Sequence, residues 1–206
     1  METDVLIIGG GVTGTGIARD LSLRGINIIL IEKNDLNAGA SGGNHGLLHS
    51  GARYVSSDPE AALECRNESA ILKSLAPHCI EETGGLFVAV TGDDENYVAD
   101  FAGLCDRSGI PSKNVDLKDA KEMEPALSHE TIAVYEVKDA SINPFKLSIE
   151  NMNDAVSRGG RYLSYCKLEA FQTENNTIVS ARIINLISKE TFHIRAGIYI
   201  NASGAW

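Results

Sequence analysis

Residues 5–14 read VLIIGGGVTG, and residues 15–32 continue TGIARDLSLRGINIILIE. Val5–Ile8 is an unbroken apolar run, as expected of a strand buried on both faces of a parallel sheet. It runs into Gly9-Gly10-Gly11. Thr13–Arg24 then carries Ile17 and Leu21 one helical turn apart, and Gly25 stands where helices commonly end. Ile26–Ile31 predicts a second buried strand that delivers Glu32 at its tip. The pattern predicts a βαβ unit.

Gly9-x-Gly11-x-x-Gly14 spans the junction of the first strand and the helix. In such a fingerprint the glycines allow a tight turn, close approach of backbone to a pyrophosphate, and close packing of helix on strand. A pyrophosphate there faces the positive end of the helix dipole. Glu32, eighteen residues past Gly14, is suited to accept hydrogen bonds from an adenosine ribose, and its charge disfavours a 2′-phosphate. A bare G-x-G-x-x-G can be no more than a glycine turn. With strand, helix, second strand and terminal acid in place it predicts a dinucleotide site. It does not distinguish FAD from NAD.

Residues 38–54 read AGASGGNHGLLHSGARY. A loop so poor in side chains lets backbone N–H groups press against a flat ligand and its phosphates. Two histidines, an arginine and a tyrosine set it apart from a bland surface loop. An imidazole of ordinary pKa near ~6.5 is matched to taking a hydroxyl proton at neutral pH. A guanidinium offers a bidentate fork to a phosphate or a carboxylate. By residue type alone a loop histidine such as His49 is more often a structural hydrogen-bonder, and Arg53 can also be a surface or ion-paired arginine. His45, the nearest competitor as base, reads as a residue of the loop rather than the base.

Further along, Asp58-Pro59 opens a helix whose Leu63, Ala70, Ile71 and Leu75 share one face. Gly84-Gly85 leads into a strand, Leu86–Val90. Asp93-Asp94-Glu95 reads as a helix N-terminus rather than a metal site, followed by a core stripe of Tyr97, Phe101, Leu104 and Cys105. A mixed α/β lobe is expected from there to Asp139. Asn143-Pro144 opens another helix, with Phe145, Ile149, Met152 and Val156 on one stripe. Strand-like runs near 161–171, 177–187 and 191–201 follow, joined by turn-forming Asn175-Asn176 and Ser188-Lys189-Glu190. His78, His129 and His193 are isolated, as surface or hydrogen-bonded core residues are.

The composition narrows the function classes. The net charge of −10 argues against nucleic acid as a partner. The acidity is uneven: residues 93–136 hold eleven acidic against four basic side chains, residues 1–54 only five against four. The first stretch is therefore still suited to an anion. No run approaches the ~18 apolar residues of a membrane span, so no transmembrane segment is expected. Glu2 and Asp4 carry the wrong charge for a secretory signal, which points to an intracellular protein. Cys65, Cys79, Cys105 and Cys166 show no C-x-x-C pair and no metal-ligand spacing with the histidines. They read as buried, reduced thiols, and no metal site is expected. The chain stops after Ile198–Asn201 and the small-residue turn Ala202-Ser203-Gly204, and is read as truncated at the C-terminus.

Taken together, the fingerprint, Glu32, ASGGNHGLLHSGARY and the terminal NASGAW resemble the flavoproteins of the D-amino-acid-oxidase superfamily. NHGLLHSGARY looks like its glycerol-3-phosphate dehydrogenase branch, most like the A subunit of the anaerobic, multi-subunit type. The resemblance covers the whole chain, including the register of Asp139-x-x-x-Asn143-Pro144-Phe145. It implies FAD as cofactor and an α/β, Rossmann-like FAD-binding domain of the glutathione-reductase type with a discontinuous α/β substrate lobe. The expected division is 1–80 and 140–206 for the FAD-binding domain, incomplete, and 81–139 for the substrate-facing lobe. It implies that Gly9, Gly11, Gly14 and Glu32 meet the adenosine and pyrophosphate, and that Ala40, Ser41, Gly46, Leu47 and Leu48 lie along pyrophosphate and flavin. Leu168 is implied to meet the adenine through its backbone, and Ala202 and Gly204 to return to the cofactor. His49 is implied as the base beside the flavin, Arg53 as the residue that meets the substrate phosphate, and Tyr54 as its neighbour. The implied reaction oxidises glycerol 3-phosphate to dihydroxyacetone phosphate. Electrons would pass through iron–sulfur and membrane-anchor subunits to a quinone, from a cytoplasmic position peripheral to the inner face of the membrane. An oxidase or dehydrogenase of 2-hydroxyglutarate or an amino acid, or an inert nucleotide-binding fragment, are the competing expectations.

Overall fold

The computed structural model describes residues 1–205; Trp206, the last residue of NASGAW, lies outside the described residues. In chain order the structure opens with β1 (Glu2–Ile8), α1 (Val12–Leu23) and β2 (Ile28–Ile31). Next come the short β3 (Leu47–Leu48), a 3-10 turn at Ala52–Tyr54, α2 (Pro59–Leu75), a second 3-10 turn at Pro77–Cys79, β4 (Ile80–Glu81) and β5 (Gly85–Val90). They are followed by α3 (Glu95–Arg107), β6 (Ser112–Val115), α4 (Leu117–Met123), β7 (Thr131–Val137) and β8 (Ala140–Ile142). The chain continues with α5 (Pro144–Ser157), β9 (Arg161–Leu163), β10 (Cys166–Glu174), β11 (Thr177–Asn185) and β12 (Thr191–Asn201).

These elements form two compact units, Met1–His45 with Asn143–Trp206, and Gly46–Ile142. The first holds a six-stranded sheet in the order β10-β11-β12-β1-β2-β9. β12, β1, β2 and β9 pair in parallel, while β10, β11 and β12 form an antiparallel meander. Leu6, Ile7 and Ile28–Ile31 are almost wholly buried, which explains why both opening strands read as unbroken apolar runs. On one face Val5, Ile7, Ala18, Ile28, Leu30, Met152 and Ala155 form a core beneath α1 and α5. On the other, Leu6, Ile29 and Ile31 pack with Cys166, Ala181, Ile183 and Ile194 of the meander.

The run near 161–171 is two strands, not one. Tyr165 takes a left-handed conformation at φ 54° and breaks it. Before the break β9 continues the parallel sheet; beyond it β10 turns into the antiparallel ribbon. The helical stripe of α5 also differs from expectation. Leu147, Ser148, Met152 and Ala155 are buried, while Phe145, Ile149 and Val156 are exposed.

The second unit carries two three-stranded sheets, β3-β8-β4 and β5-β7-β6. Its main core joins Ala52, Val55 and Ala62 to Phe101, Cys105, Ile110 and Val137. Phe87 stacks on Phe101 with ring centroids 4.9 Å apart. Asp94 caps α3 by accepting hydrogen bonds from the backbone of Asn96 and Tyr97, as the acidic cluster predicts. On α2 the buried residues are Ala62 and Ser69, whereas Leu63, Ala70, Ile71 and Leu75 are exposed. Residues 46–80 and 140–142, assigned with the FAD-binding domain from the sequence, group here with 81–139. The cause is visible in the core, where Ala52, Val55 and Ala62 pack on α3 residues, and in the pairing of β3 with β8.

Candidate functional site

In the first unit the fingerprint glycines sit where β1 gives way to α1. A Cβ on Gly14 would collide with the carbonyl oxygen of Gly9, so only hydrogen fits between helix and turn. Gly9 has φ +116°, and a Cβ there would meet the backbone of Ala202. The Ala202 N–H donates to Ile8 at 2.8 Å. The terminal turn thus closes against the fingerprint. Gly204, also at positive φ, follows it.

Glu32 is half-buried. Its Oε2 accepts a hydrogen bond from Gly10 N–H at 2.7 Å and its Oε1 one from Asn34 N–H at 2.8 Å. The carboxylate is therefore fixed at the turn, and each oxygen keeps acceptor capacity for a further donor. Ser41 Oγ accepts from Val12 N–H at 3.0 Å, occupying the mouth of α1 where Gly11 provides no cap of its own. Ala40 is exposed in the same turn. Cys166 N–H donates to Glu32 O at 2.8 Å, which brings the start of β10, and Leu168 two residues on, toward the tip of β2. Burial, together with the charges of Asp35 and Glu32, pushes the Tyr162 phenol up. It stays protonated beside the acid. These features fit an adenosine diphosphate group: a helix N-terminus fronted by glycine, an acid held rigidly at the next strand, and no bulky side chain on the turn.

In the second unit Gly46, at φ +70°, accepts from Ile142 N–H at 2.8 Å. Leu47 and Leu48 pair with Ser141 and Ala140. β8 begins directly after Asp139, so this short ladder places Asp139 beside His49 and Ser50. Asp139 Oδ1 accepts from Ser50 N–H at 2.7 Å and from Ser50 Oγ at 2.6 Å. His49 Nδ1 lies 3.3 Å from Asp139 Oδ2. Gly51 follows at φ +98°, and a Cβ there would collide with Ala62 O, so glycine lets the turn lie directly on α2. That turn presents Arg53, which is exposed and makes no ion pair among the described residues. Tyr54 stands edge-on to His49 with ring centroids 6.4 Å apart.

Spacing along the chain does not mark Asp139 and Ser50 as site residues. Asp139 stands ninety positions from His49, and only strand pairing brings the two together. His45 is exposed and lies outside this cluster's unit. His78 and His129 are exposed, and His193 Nδ1 lies 3.4 Å from Ser180 Oγ. Cys79, Cys105 and Cys166 are buried and Cys65 half-buried, with no disulfide among the described residues.

The sequence matches the family described as FAD dependent oxidoreductase (DAO) over residues 4–206. It is 43% identical over 205 residues to the A subunit of anaerobic glycerol-3-phosphate dehydrogenase from Escherichia coli (strain K12), covering 100% of this chain and 38% of that protein. Among solved structures, glycerol-3-phosphate dehydrogenase from Bacillus halodurans, complexed with FAD, superposes with a TM-score of 0.73 at 26% identity, covering 100% of this chain and 35% of that one. Glycine oxidase from Bacillus cereus ATCC 14579 superposes with a TM-score of 0.82 at 26% identity, covering 99% of this chain and 56% of its own. The chain spans less than half the length of the curated relatives it matches. The family match runs through both compact units, so it does not rest on the glycine turn alone: the chain belongs to the FAD dependent oxidoreductase family.

Proposed function

We propose that this chain forms the nucleotide-holding and proton-abstracting part of an FAD-dependent enzyme that oxidises sn-glycerol 3-phosphate to dihydroxyacetone phosphate. The observation that carries the reading is one short segment of the second unit. It joins an imidazole held by a buried carboxylate to an exposed guanidinium four residues on. Such a segment pairs a base with an anion holder, the two functions that oxidation of a phosphorylated alcohol asks of side chains. The 43% identity to a polypeptide of an anaerobic glycerol-3-phosphate dehydrogenase supports the same substrate.

In this reading Gly9, Gly11, Gly14, Glu32, Ala40, Ser41, Leu168, Ala202 and Gly204 hold the adenosine and pyrophosphate portion of FAD. Gly46, Leu47 and Leu48 offer backbone to the remainder. FAD, when bound, supplies the acceptor for the hydride lost from the alcohol carbon. His49 takes the hydroxyl proton as the carbonyl forms, so a hydride and a proton leave the substrate in all. Arg53 holds the phosphate through its N–H fork, and Tyr54 borders the imidazole.

That the relatives are named as one component of a multi-subunit enzyme supports a larger assembly. We place iron–sulfur partners and a membrane quinone after this chain in the electron path, with the chain peripheral to the inner face of the membrane. Among the described residues no cluster of three or more His, Cys, Asp or Glu side chains is arranged to hold a metal ion, and no helix is long and apolar enough to cross a membrane.

The test is anaerobic reduction of bound flavin in the full-length protein by glycerol 3-phosphate, glycerol, 2-hydroxyglutarate and glycine. Rapid bleaching by glycerol 3-phosphate alone is expected. The likeness to glycine oxidase favours a second reading, in which Arg53 binds a carboxylate. Bleaching by glycine or 2-hydroxyglutarate but not by glycerol 3-phosphate would establish that reading instead.

A further inference from the structure

Asp139 is buried, with 7% of its surface exposed, and its two carboxylate oxygens have different duties. Oδ1 takes two hydrogen bonds from Ser50, one from the N–H at 2.7 Å and one from the hydroxyl at 2.6 Å. Oδ2 is left toward His49 Nδ1 at 3.3 Å. An ionised carboxylate can only accept hydrogen bonds. A ring nitrogen facing it is therefore the protonated one, and in a neutral imidazole the lone pair then sits on Nε2. Nothing in the sequence spacing joins these residues; the pairing of β3 with β8 does.

From this geometry we infer that Asp139 is a positioning residue that fixes the tautomer of His49 and so presents Nε2 as the proton acceptor. The inference rests on the reading of His49 as the base only in its kinetic consequence. Its structural content is separate: the asymmetry of the carboxylate makes an isosteric amide a wrong part. In Asp139→Asn the single amide oxygen is claimed by the two Ser50 donors, because an N–H facing them would leave both unsatisfied in a buried place. The amide NH₂ then points at His49 Nδ1. That nitrogen must become the acceptor, and the ring proton moves to Nε2, the atom that has to be vacant for proton abstraction.

The tautomer can be read directly. Long-range ¹H–¹⁵N correlations on the chain labelled with ¹⁵N-histidine distinguish an Nδ1-protonated from an Nε2-protonated ring. The parent His49 is expected to be Nδ1-protonated, the Asp139→Asn variant Nε2-protonated, and a Ser50→Ala variant to stay as the parent. An Nε2-protonated His49 in the parent overturns the inference even if no variant folds. So does an Asp139→Asn protein that keeps the parental tautomer. In the FAD-loaded full-length protein, Asp139→Asn should slow flavin reduction at saturating glycerol 3-phosphate by ~10²–10⁴-fold, with substrate affinity little changed. A switched tautomer with parental reduction rates would leave the Asp139–His49 pair standing and remove His49 as the base.

Discussion

His49 and Arg53 sit on the same short segment, but their chemical capacities differ. If His49 takes the hydroxyl proton, His49→Ala should slow flavin reduction at saturating glycerol 3-phosphate by ~10²–10⁴-fold. The loss should shrink at high pH, where hydroxide replaces the imidazole. If Arg53 holds the phosphate, Arg53→Ala should mainly weaken substrate binding, by about 1.5–3 kcal/mol for lost hydrogen bonds to a charged group. It should also erode the preference for glycerol 3-phosphate over glycerol, which lacks the phosphate. Stopped-flow reduction with both substrates reads all of this, and an Arg53→Ala enzyme as selective as the parent would remove the phosphate assignment. Glu32 calls for a double readout, because its carboxylate already accepts from Gly10 and Asn34. Glu32→Ala should loosen FAD by about 1.5–3 kcal/mol and also destabilise the turn itself. A variant that loses stability and keeps its FAD affinity would show that the acid serves the turn alone. These residue types and their order are legible along the chain itself, because glycine, acid, imidazole and guanidinium each have narrow chemical uses. The pairing of Asp139 with His49 is not, because the two stand ninety positions apart and meet only through the β3–β8 ladder.

The elements are legible in kind more than in the faces they bury. α2, α3 and α5 all begin at the residues their caps predict. Yet on α2 the apolar stripe of Leu63, Ile71 and Leu75 is exposed, and the helix turns Ala62 and Ser69 inward. Periodicity reports where large apolar side chains lie, whereas close approach to the Gly51 turn demands small ones. Likewise α5 buries Met152 and Ala155 against α1 and leaves Phe145, Ile149 and Val156 outside. What joins α1 to α5 besides apolar packing is Asp154, which receives Arg19 at 2.8 Å and Arg158 at 3.0 Å. Burial would raise its pKa, but the hydrogen bonds and charges of the two arginines outweigh that and hold it below the ordinary carboxyl value of 3.8. A depressed folded-state pKa means the contribution is full above the unfolded value and fades as pH falls through the folded one. Asp154→Asn should therefore lower stability at neutral pH by about 1 kcal/mol or less, as partly exposed ion pairs do. The difference from the parent should vanish below the ordinary carboxyl range. Urea melts at neutral and acid pH measure it, and an equal difference at both would show that the charge is not what matters.

At the scale of the whole molecule, the chain leaves one compact unit and later returns to it, and the point of departure carries its own argument. Gly46–Ile142 begins and ends at a hydrogen bond, Ile142 N–H to Gly46 O at 2.8 Å, reinforced by the pairing of Leu47 with Ser141 and Leu48 with Ala140. A segment whose ends are tied together can be inserted into, or cut from, a host with little strain on either. It also has its own cores, around Phe101 and around Val134. The first unit has two of its own on either side of the sheet. We therefore expect residues 46–142, made alone, to unfold cooperatively on heating and to show near-native circular dichroism. Residues 1–45 joined to 143–206 by a short Gly/Ser linker should fold as well. That fusion keeps Gly9, Gly11, Gly14, Glu32, Ser41, Leu168 and Ala202, so it should bind ADP. It lacks Gly46, Leu47 and Leu48, so FAD should gain little over ADP. Calorimetry with both ligands on the fusion and on the intact chain gives the comparison. A fusion that folds but binds neither nucleotide would place the adenosine determinants elsewhere, and a 46–142 piece that melts without a transition would show that its cores depend on the host.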